Sequence, residues 1–207
     1  LCHLTSLPNG RLGRDTNHFL HRLNEIGATI WQMLPINPPD EHGSPYAGLS
    51  SFAIWAVYRD QDTRRSAPMD REEREEGISH WVYDWALFAA LKEEQEGRPW
   101  LDWPKPLRER EESALEEARA RLASKIGSLV HDQVMLTIHW QDFQMDAEGY
   151  GVELLGDLPF FLAHDSADVW ANQHLFKLEE SGAPAVVAGV PPDYFSEEGQ
   201  RWGTVHY

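Results

Sequence analysis

The order of apolar and polar positions at the start of the chain predicts a strand, a helix and a second strand. Residues 1–7 are partly apolar and lead into a turn, which favours a strand. Asp15 can cap the helix that follows, and Gly27 can end it. The helix is indicated by apolar residues at helical spacing: Phe19, Leu20, Leu23 and Ile26. The mostly apolar run 28–35 closes with a proline, so the three elements predict a parallel βαβ unit.

In the middle of the chain, apolar residues recur at helical spacing. Residues 70–76 form a charge run typical of a solvated helix start or loop. Residues 81–95 predict a packed helix, and 111–144 predict either one long helix or two helices with a break near Gly127. This block is interpreted as a helical insertion between strands.

A third strand is predicted where apolar residues return at 152–155. Asp157 follows this strand directly, so its carboxylate should lie at the strand's C-terminal edge. Ligand chemistry in α/β folds is usually found at that edge. The alternative is an aspartate that only caps a turn or helix.

Two loops carry residues suited to binding a polar, flat ligand. Tyr46 offers a ring face and a hydroxyl, although it could equally just close its loop. Pro191 and Pro192 stiffen the approach to a second loop. There a sugar face could lie against an aromatic ring while polar side chains bind its hydroxyls, unless these aromatics pack inward. The residues concerned are Asp193, Tyr194, Phe195, Gln200 and Trp202.

A metal site is disfavoured. His164 and Asp165 are adjacent in sequence and cannot easily share one ion, and His174 is not at a familiar ligand spacing. The run from Asp165 to Asp168 instead predicts the capped start of a helix.

Composition narrows the partners. The chain has 207 residues, 42% of them hydrophobic, which is enough for a sizeable core. A net charge of −16 would repel nucleic acid and anionic membrane surfaces but not a neutral ligand. The single cysteine, Cys2, excludes an internal disulfide and favours a cytoplasmic location. No stretch is apolar for the length of a membrane span. Together with the negative charge, this means that neither nucleic acid nor a membrane is an expected partner.

Seven segments together resemble one family closely, in the same order from end to end. They are 4–8 (LTSLP), 31–35 (WQMLP), 44–46 (SPY), 84–88 (DWALF), 156–159 (GDLP), 164–172 (HDSADVWAN) and 186–195 (VVAGVPPDYF). The family is that of the 4-α-glucanotransferases known as amylomaltase or disproportionating enzyme, glycoside hydrolase family 77. The resemblance implies an α/β fold, a TIM (β/α)8 barrel with helical insertions. It also implies retaining double displacement on maltooligosaccharides, amylose or glycogen-type α-glucans, without a cofactor or metal.

The resemblance also implies roles and boundaries. Ser44, Tyr46 and Asp157 look like sugar-subsite residues, and Asp193 to Ser196 look like a loop that closes over the site beside Trp202. The nucleophilic Asp, the acid/base Glu and a third Asp are expected after Tyr207. The chain would then hold about three of the barrel's eight strands, as an N-terminal piece. The implied parts are a βαβ part (1–60), a helical insertion (61–148), and a third strand with the active-site loop (149–207).

Some positions depart from the family pattern. Thr204 and Val205 stand where Asn and Pro usually follow Trp-Gly, so one amide that could bind a hydroxyl is missing. Residues 54–56 (IWA) replace the usual Gly-Asn-Pro, and Gly43 replaces a common Asp. Two other functions stay open: a glucan-binding protein without catalysis, and an α-glucan hydrolase on the same barrel.

Overall fold

The structure is a computed structural model that describes residues 1–40, 43–59 and 71–207, with the backbone alone at 71–76. The predicted charge run at 70–76 therefore lies outside the described side chains. The helices are α1 (Arg14–Glu25), α2 (Arg71–Glu94), α3 (Lys105–Arg108), α4 (Glu112–Arg121), α5 (Ala123–Gly149) and α6 (Ala167–Ala171). The strands are β1 (Ile30–Gln32), β2 (Glu153–Leu155), β3 (Val187–Val190) and β4 (Gln200–Val205). The chain thus has the predicted mixed α/β character.

Two small sheets organise these elements. Strands β1 and β2 pair in parallel, with Trp31 opposite Leu154, although more than a hundred residues separate them in the chain. Strands β3 and β4 form an antiparallel hairpin, with Val190 opposite Gln200. Since β1 and β2 run in the same direction, both end at the same edge, and the loops that follow them start side by side.

The strand predicted at residues 1–7 is wrong. Leu4–Ser6 is a 3-10 turn, in which the Ser6 and Leu7 amides donate to His3 and Leu4 carbonyls. One strand-like bond remains, from the Cys2 amide to the Gln32 carbonyl. Curling the backbone inserts Leu4 fully into the core, and the gain from its burial outweighs the further ladder bonds of a strand.

Helix α1 follows the prediction in its position but differs at both ends. Thr16, rather than Asp15, closes the first turn by bonding both backbone groups of Gly13 through its hydroxyl. Asp15 accepts from the Asn9 amide instead. At the other end Gly27 terminates the helix with a positive φ of 74°, as predicted, whereas Ile26 is exposed rather than packed.

Helices α2 and α5 pack along each other and carry the middle block. Their contacts come from residues spaced four apart on each helix: Ile78, Val82 and Ala86 on α2, and Val130, Val134 and Ile138 on α5. The break between α4 and α5 lies at Leu122, so the alternative break near Gly127 is wrong. The helix continues through Gly127 because the following turns pack in the core through Val130 and Val134. This packing outweighs the roughly 1 kcal/mol cost of a glycine within a helix.

A second core of aromatic rings joins α2 to the segment that follows β2. Phe88 contacts Trp103 and Trp170, with ring centroids 5.5 and 5.9 Å apart. Trp170 lies on α6, where the Ser166 side chain accepts from the Val169 amide as the predicted cap. The helical block therefore fixes the path of the chain just beyond β2.

The hairpin is attached to that same path. Ala163 bridges to Thr204 of β4, and the Val205 amide donates to the Leu162 carbonyl at 3.1 Å. Thr204 and Val205 are both buried, so the two residues that depart from the family pattern belong to this junction. Among the described residues, no helix is long and apolar enough to cross a membrane.

Candidate functional site

The exits of β1 and β2 bring the first group of predicted residues together. Tyr46 lies in a 3-10 turn (Pro45–Ala47) after β1, and Asp157 lies two residues beyond β2. The Tyr46 hydroxyl donates to Asp157 Oδ2 at 2.7 Å across 111 positions of sequence. Ser44, Tyr46 and Asp157 are called the strand-exit cluster below.

Short-range contacts hold the loop that carries Tyr46. The Ser44 amide donates to Asp40 Oδ1 at 2.9 Å, and the Leu49 amide donates to the Pro38 carbonyl. Gly48 packs so tightly on the buried Asn37 side chain that a Cβ there would collide with its amide nitrogen. The tyrosine is therefore presented on a closed loop.

The pair is set to act through hydrogen bonding. The hydrogen bond to Asp157 raises the pKa of Tyr46 above its ordinary value, with smaller contributions from desolvation and from the carboxylate charge. Tyr46 thus remains protonated and a donor at neutral pH. A carboxylate can accept several hydrogen bonds, so Asp157 can also bind hydroxyl groups of a ligand.

The second group of predicted residues lies at the turn of the β3–β4 hairpin, residues 191–199, called the hairpin tip below. Asp193 Oδ1 accepts from the amides of Phe195 and Ser196 at 2.9 and 2.8 Å. The Ser196 hydroxyl donates to the Gly199 carbonyl at 2.7 Å. Asp193 and Ser196 therefore shape the tip itself, which the sequence interpretation of Asp193 as a ligand contact did not foresee.

The aromatic residues of the hairpin tip face outward. Tyr194 is 97% exposed and Phe195 is 89% exposed, and their rings meet edge to face. The alternative that these aromatics pack inward is therefore wrong. Trp202 on β4 is half exposed, contacts the Phe161 ring and donates from its indole nitrogen to Gln200 Oε1 at 3.1 Å.

A groove of about 730 Å³ runs from the Tyr46 loop to Trp202. One wall is built from Asp40, Ala47 and Leu49 of the Tyr46 loop, and the other includes Ala163 to Asp165. Sequence reasoning missed Lys92, which lines the groove and forms an ion pair with Asp165 from the end of α2. The only signal for it was a basic residue in the last helical turn, because its partner lies 73 positions away.

The residues considered for a metal have separate partners. His164 Nε2 lies 2.8 Å from the Gly182 carbonyl, Asp165 accepts from the Trp100 amide and pairs with Lys92, and both oxygens of Asp168 bind Ser51. Within the described residues no group of three or more His, Cys, Asp or Glu side chains could hold a metal ion.

Comparison with known proteins identifies the family. The sequence profile described as 4-alpha-glucanotransferase, glycoside hydrolase family 77, matches residues 2–77 and 59–207. The chain belongs to glycoside hydrolase family 77. Among curated family 77 relatives, a 4-alpha-glucanotransferase of Thermus thermophilus is 38% identical over the whole chain and 51% of its own length. One of Aquifex aeolicus is 34% identical over the whole chain and 52% of its own length.

Solved structures agree. An amylomaltase from Streptococcus agalactiae in complex with acarbose matches with a TM-score of 0.86 and 28% identity, over 99% of this family 77 chain and 52% of that one. An amylomaltase from Corynebacterium glutamicum matches with a TM-score of 0.61 at 15% identity, over 93% of this chain and 33% of that one, which bears on the fold alone.

The family 77 chain spans about half the length of the curated relatives it matches. The alignment with the Thermus protein runs over 254 residues but contains only the 207 of this chain, a difference of 47. The profile matches in two pieces that overlap at 59–77.

Proposed function

We propose that the protein containing this chain is a 4-α-glucanotransferase that moves α-1,4-glucan segments between maltooligosaccharides, amylose or glycogen-type glucans. The observation that carries the proposal is the Tyr46–Asp157 hydrogen bond at the common exit of two parallel strands, in a chain that matches family 77 along its length. The acarbose-bound neighbour supports a glucan-like ligand.

The site residues would divide the work between orientation and closure. In the strand-exit cluster, Asp157 accepts hydrogen bonds from sugar hydroxyls, Tyr46 fixes the carboxylate, and Ser44 adds a further hydroxyl. At the hairpin, Trp202 and the exposed rings of Tyr194 and Phe195 offer faces for sugar stacking. Asp193 and Ser196 hold the tip in shape, and Gln200 orients the Trp202 indole.

Transfer would depend on these residues because an acceptor hydroxyl must compete with water for the glycosyl-enzyme. Exposed rings that fold over the acceptor would exclude water and so favour transfer over hydrolysis. The nucleophile and the acid/base residue are predicted to follow Tyr207. This chain would supply sugar binding, orientation and closure.

The fold proposed for the complete protein is a TIM (β/α)8 barrel, with β1 and β2 as neighbouring barrel strands and α2–α5 as a helical insertion between them. The parallel register of β1 and β2 supports this assignment. The division into 1–60, 61–148 and 149–207 and the cytoplasmic location stay predictions.

The test is incubation of the full-length protein with maltotriose, followed by chromatography of the products. We expect a ladder of longer maltooligosaccharides plus glucose. Asp157→Ala should reduce its formation about ten- to a hundredfold, the effect of losing one or two hydrogen bonds to a charged group. Glu180→Ala, which removes an exposed carboxylate elsewhere, serves as the control and should leave the ladder unchanged.

Other outcomes would contradict the proposal in distinct ways. Shortening of maltotriose without longer products would indicate a hydrolase. Intact maltotriose together with measurable glucan binding would indicate a binding protein. Equal ladders from Asp157→Ala and the parent would remove Asp157 from the site but leave the activity in place.

A further inference from the structure

A second cleft, of about 90 Å³, lies between α2, α6 and the segment around Phe52. It shares no lining residue with the groove that reaches Trp202 or with the strand-exit cluster. Its aromatic lining residues are Phe52, Trp81 and Trp85, and its polar ones are Ser50, His80, Asp84, Asp168 and Asn172.

The cleft contains an unsatisfied hydrogen-bond donor. Trp85 is 8% exposed, and its indole nitrogen has no hydrogen-bond partner among the described residues. A buried donor without an acceptor costs free energy, so such groups in native proteins usually mark a place for water or a ligand. Since Trp85 lines the cleft, an oxygen bound against its indole would supply the missing acceptor.

Two carboxylates lie in the same cleft and are held in place from outside it. Asp84 accepts from Arg110 at 2.8 Å, and Arg110 in turn lies 4.3 Å from the centre of the Trp170 ring. Asp168 accepts from the Ser51 amide and hydroxyl at 3.0 and 2.7 Å. The cleft thus combines a fixed indole donor with fixed carboxylate acceptors.

This combination selects the class of ligand. An ammonium group has no lone pair for the Trp85 N–H, and an anion would meet the charges of Asp84 and Asp168. A hydroxyl group can accept from the indole and donate to a carboxylate at the same time. The polar part of the cleft therefore suits a neutral ligand with several hydroxyls.

The mouth of the cleft adds an aromatic surface. Phe52 is 52% exposed and stacks on Trp81 with an interplanar angle of 15° and a centroid distance of 6.0 Å. The apolar C–H face of a sugar ring can lie on such a surface while its hydroxyl edge points into the small cleft. The volume holds hydroxyl groups rather than a whole ring, so the ring would stay largely outside.

We propose that the cleft at Phe52 and Trp85 is an accessory site that binds a glucose unit of a long α-glucan chain, away from the strand-exit cluster. The choice of a glucan as the ligand rests on the proposed function, whereas the choice of a neutral polyhydroxy compound rests on the cleft itself. Such a site raises the local concentration of polymer at the protein through a second attachment point. A substrate gains from the second point only if it is long enough to reach from one point to the other.

The experiment is native gel electrophoresis of the full-length protein in gels containing amylose, combined with transfer kinetics on maltotriose and on amylose. Phe52→Ala removes the exposed ring, and Trp85→Phe removes the indole donor. Each should weaken amylose retardation and raise KM for amylose about three- to tenfold, as expected for one lost contact. Kinetics on maltotriose should change less than kinetics on amylose, because a longer chain reaches a second attachment point more easily.

Tyr83→Ala is the matched control, because Tyr83 is a half-exposed ring on the same helix that lines a different cleft. It should behave like the parent protein. Trp85 belongs to the core, so thermal unfolding checks its variant, and exposed Phe52 gives an independent answer if Trp85→Phe is unstable.

Absence of retardation for the parent, or equal retardation of parent, Phe52→Ala and control, would overturn the accessory site. Equal losses on maltotriose and amylose would also overturn it, because they indicate a structural role. If the parent shows no transfer but its amylose retardation depends on Phe52, the accessory site stands and the proposed enzymatic function fails. If all variants show transfer and their amylose retardation equals that of the parent, the proposed enzymatic function stands and the accessory site fails.

Discussion

The strand-exit cluster and the hairpin tip are built by opposite means, although both are expected to meet the same ligand. Tyr46 and Asp157 are joined across 111 positions, in the loops that follow two strands that pair in parallel. The hairpin tip is held by bonds within a few residues, from Asp193 to Ser196 and from Ser196 to Gly199. One region therefore depends on the whole fold, and the other depends mainly on its own turn.

The difference assigns different tasks to the two regions. A cluster fixed by long-range packing can orient a ligand with little loss of side-chain entropy on binding. Exposed rings on a self-supporting hairpin can change position without disturbing the core, which suits a closing element. Three sets of variants test this difference. One disrupts the hairpin, one changes the core around Tyr58, and one removes an exposed ring.

The largest effect is expected where the backbones of β3 and β4 approach each other most closely, at Gly189. A Cβ at Gly189 would collide with the backbone carbonyl of Gln200. Because the obstacle is backbone and not the end of a flexible side chain, it cannot move aside. Gly189→Val should destabilise the protein by about 3 kcal/mol through overpacking. By displacing Trp202 and the hairpin tip, it should also lower transfer activity about a hundredfold.

Thermal unfolding and maltotriose transfer measure the two parts of this prediction. Gly127→Ala is the control, since a Cβ there meets open space within α5, and the change should slightly stabilise the helix. Normal activity in Gly189→Val would mean that the hairpin does not position the site.

The same contrast explains what could be predicted from the sequence. The helices around Trp85 and Phe88, the turn at Gly27 and the place of Asp157 after a strand all follow from local spacing and turn chemistry. The Lys92–Asp165 pair and the outward direction of Tyr194 and Phe195 depend on tertiary packing, which no local pattern encodes. The strand predicted at residues 1–7 failed for the same reason, because burying Leu4 favours a 3-10 turn.

A second effect is expected at high pH, in the core where Tyr58 packs together with Trp31 of β1 and Leu154 of β2. Burial raises the pKa of Tyr58 to about 12, and its hydroxyl lies 2.9 Å from His3 Nε2. The unfolded chain releases this proton near pH 10, whereas the folded chain keeps it up to about pH 12. The stability linked to neutral Tyr58 is therefore fully present below pH 10 and is lost as pH rises through 12.

Urea unfolding between pH 8 and 12 measures this loss. The free energy of unfolding should fall by up to about 1.4 kcal/mol per pH unit between pH 10 and 12 because of this one residue. Tyr58→Phe should show a correspondingly flatter curve in that interval, although it starts from a lower stability because His3 loses its partner. Parallel curves for parent and variant would contradict the assignment.

The smallest effect on stability, with a clear effect on function, is expected at the exposed rings. Phe195 is 89% exposed, so Phe195→Ala should change the free energy of unfolding by less than about 0.5 kcal/mol. If the ring closes over the acceptor, its loss should admit water, so maltotriose should give more free glucose relative to longer chains. Leu175→Ala removes another exposed apolar side chain, 56% exposed and outside the hairpin, and should alter neither quantity. A drop in stability as large as that of Gly189→Val would mean that Phe195 is part of the packed structure. An unchanged product ratio would mean that water is excluded elsewhere. A changed ratio at constant stability is the outcome expected if Phe195 acts on the acceptor without supporting the packed structure.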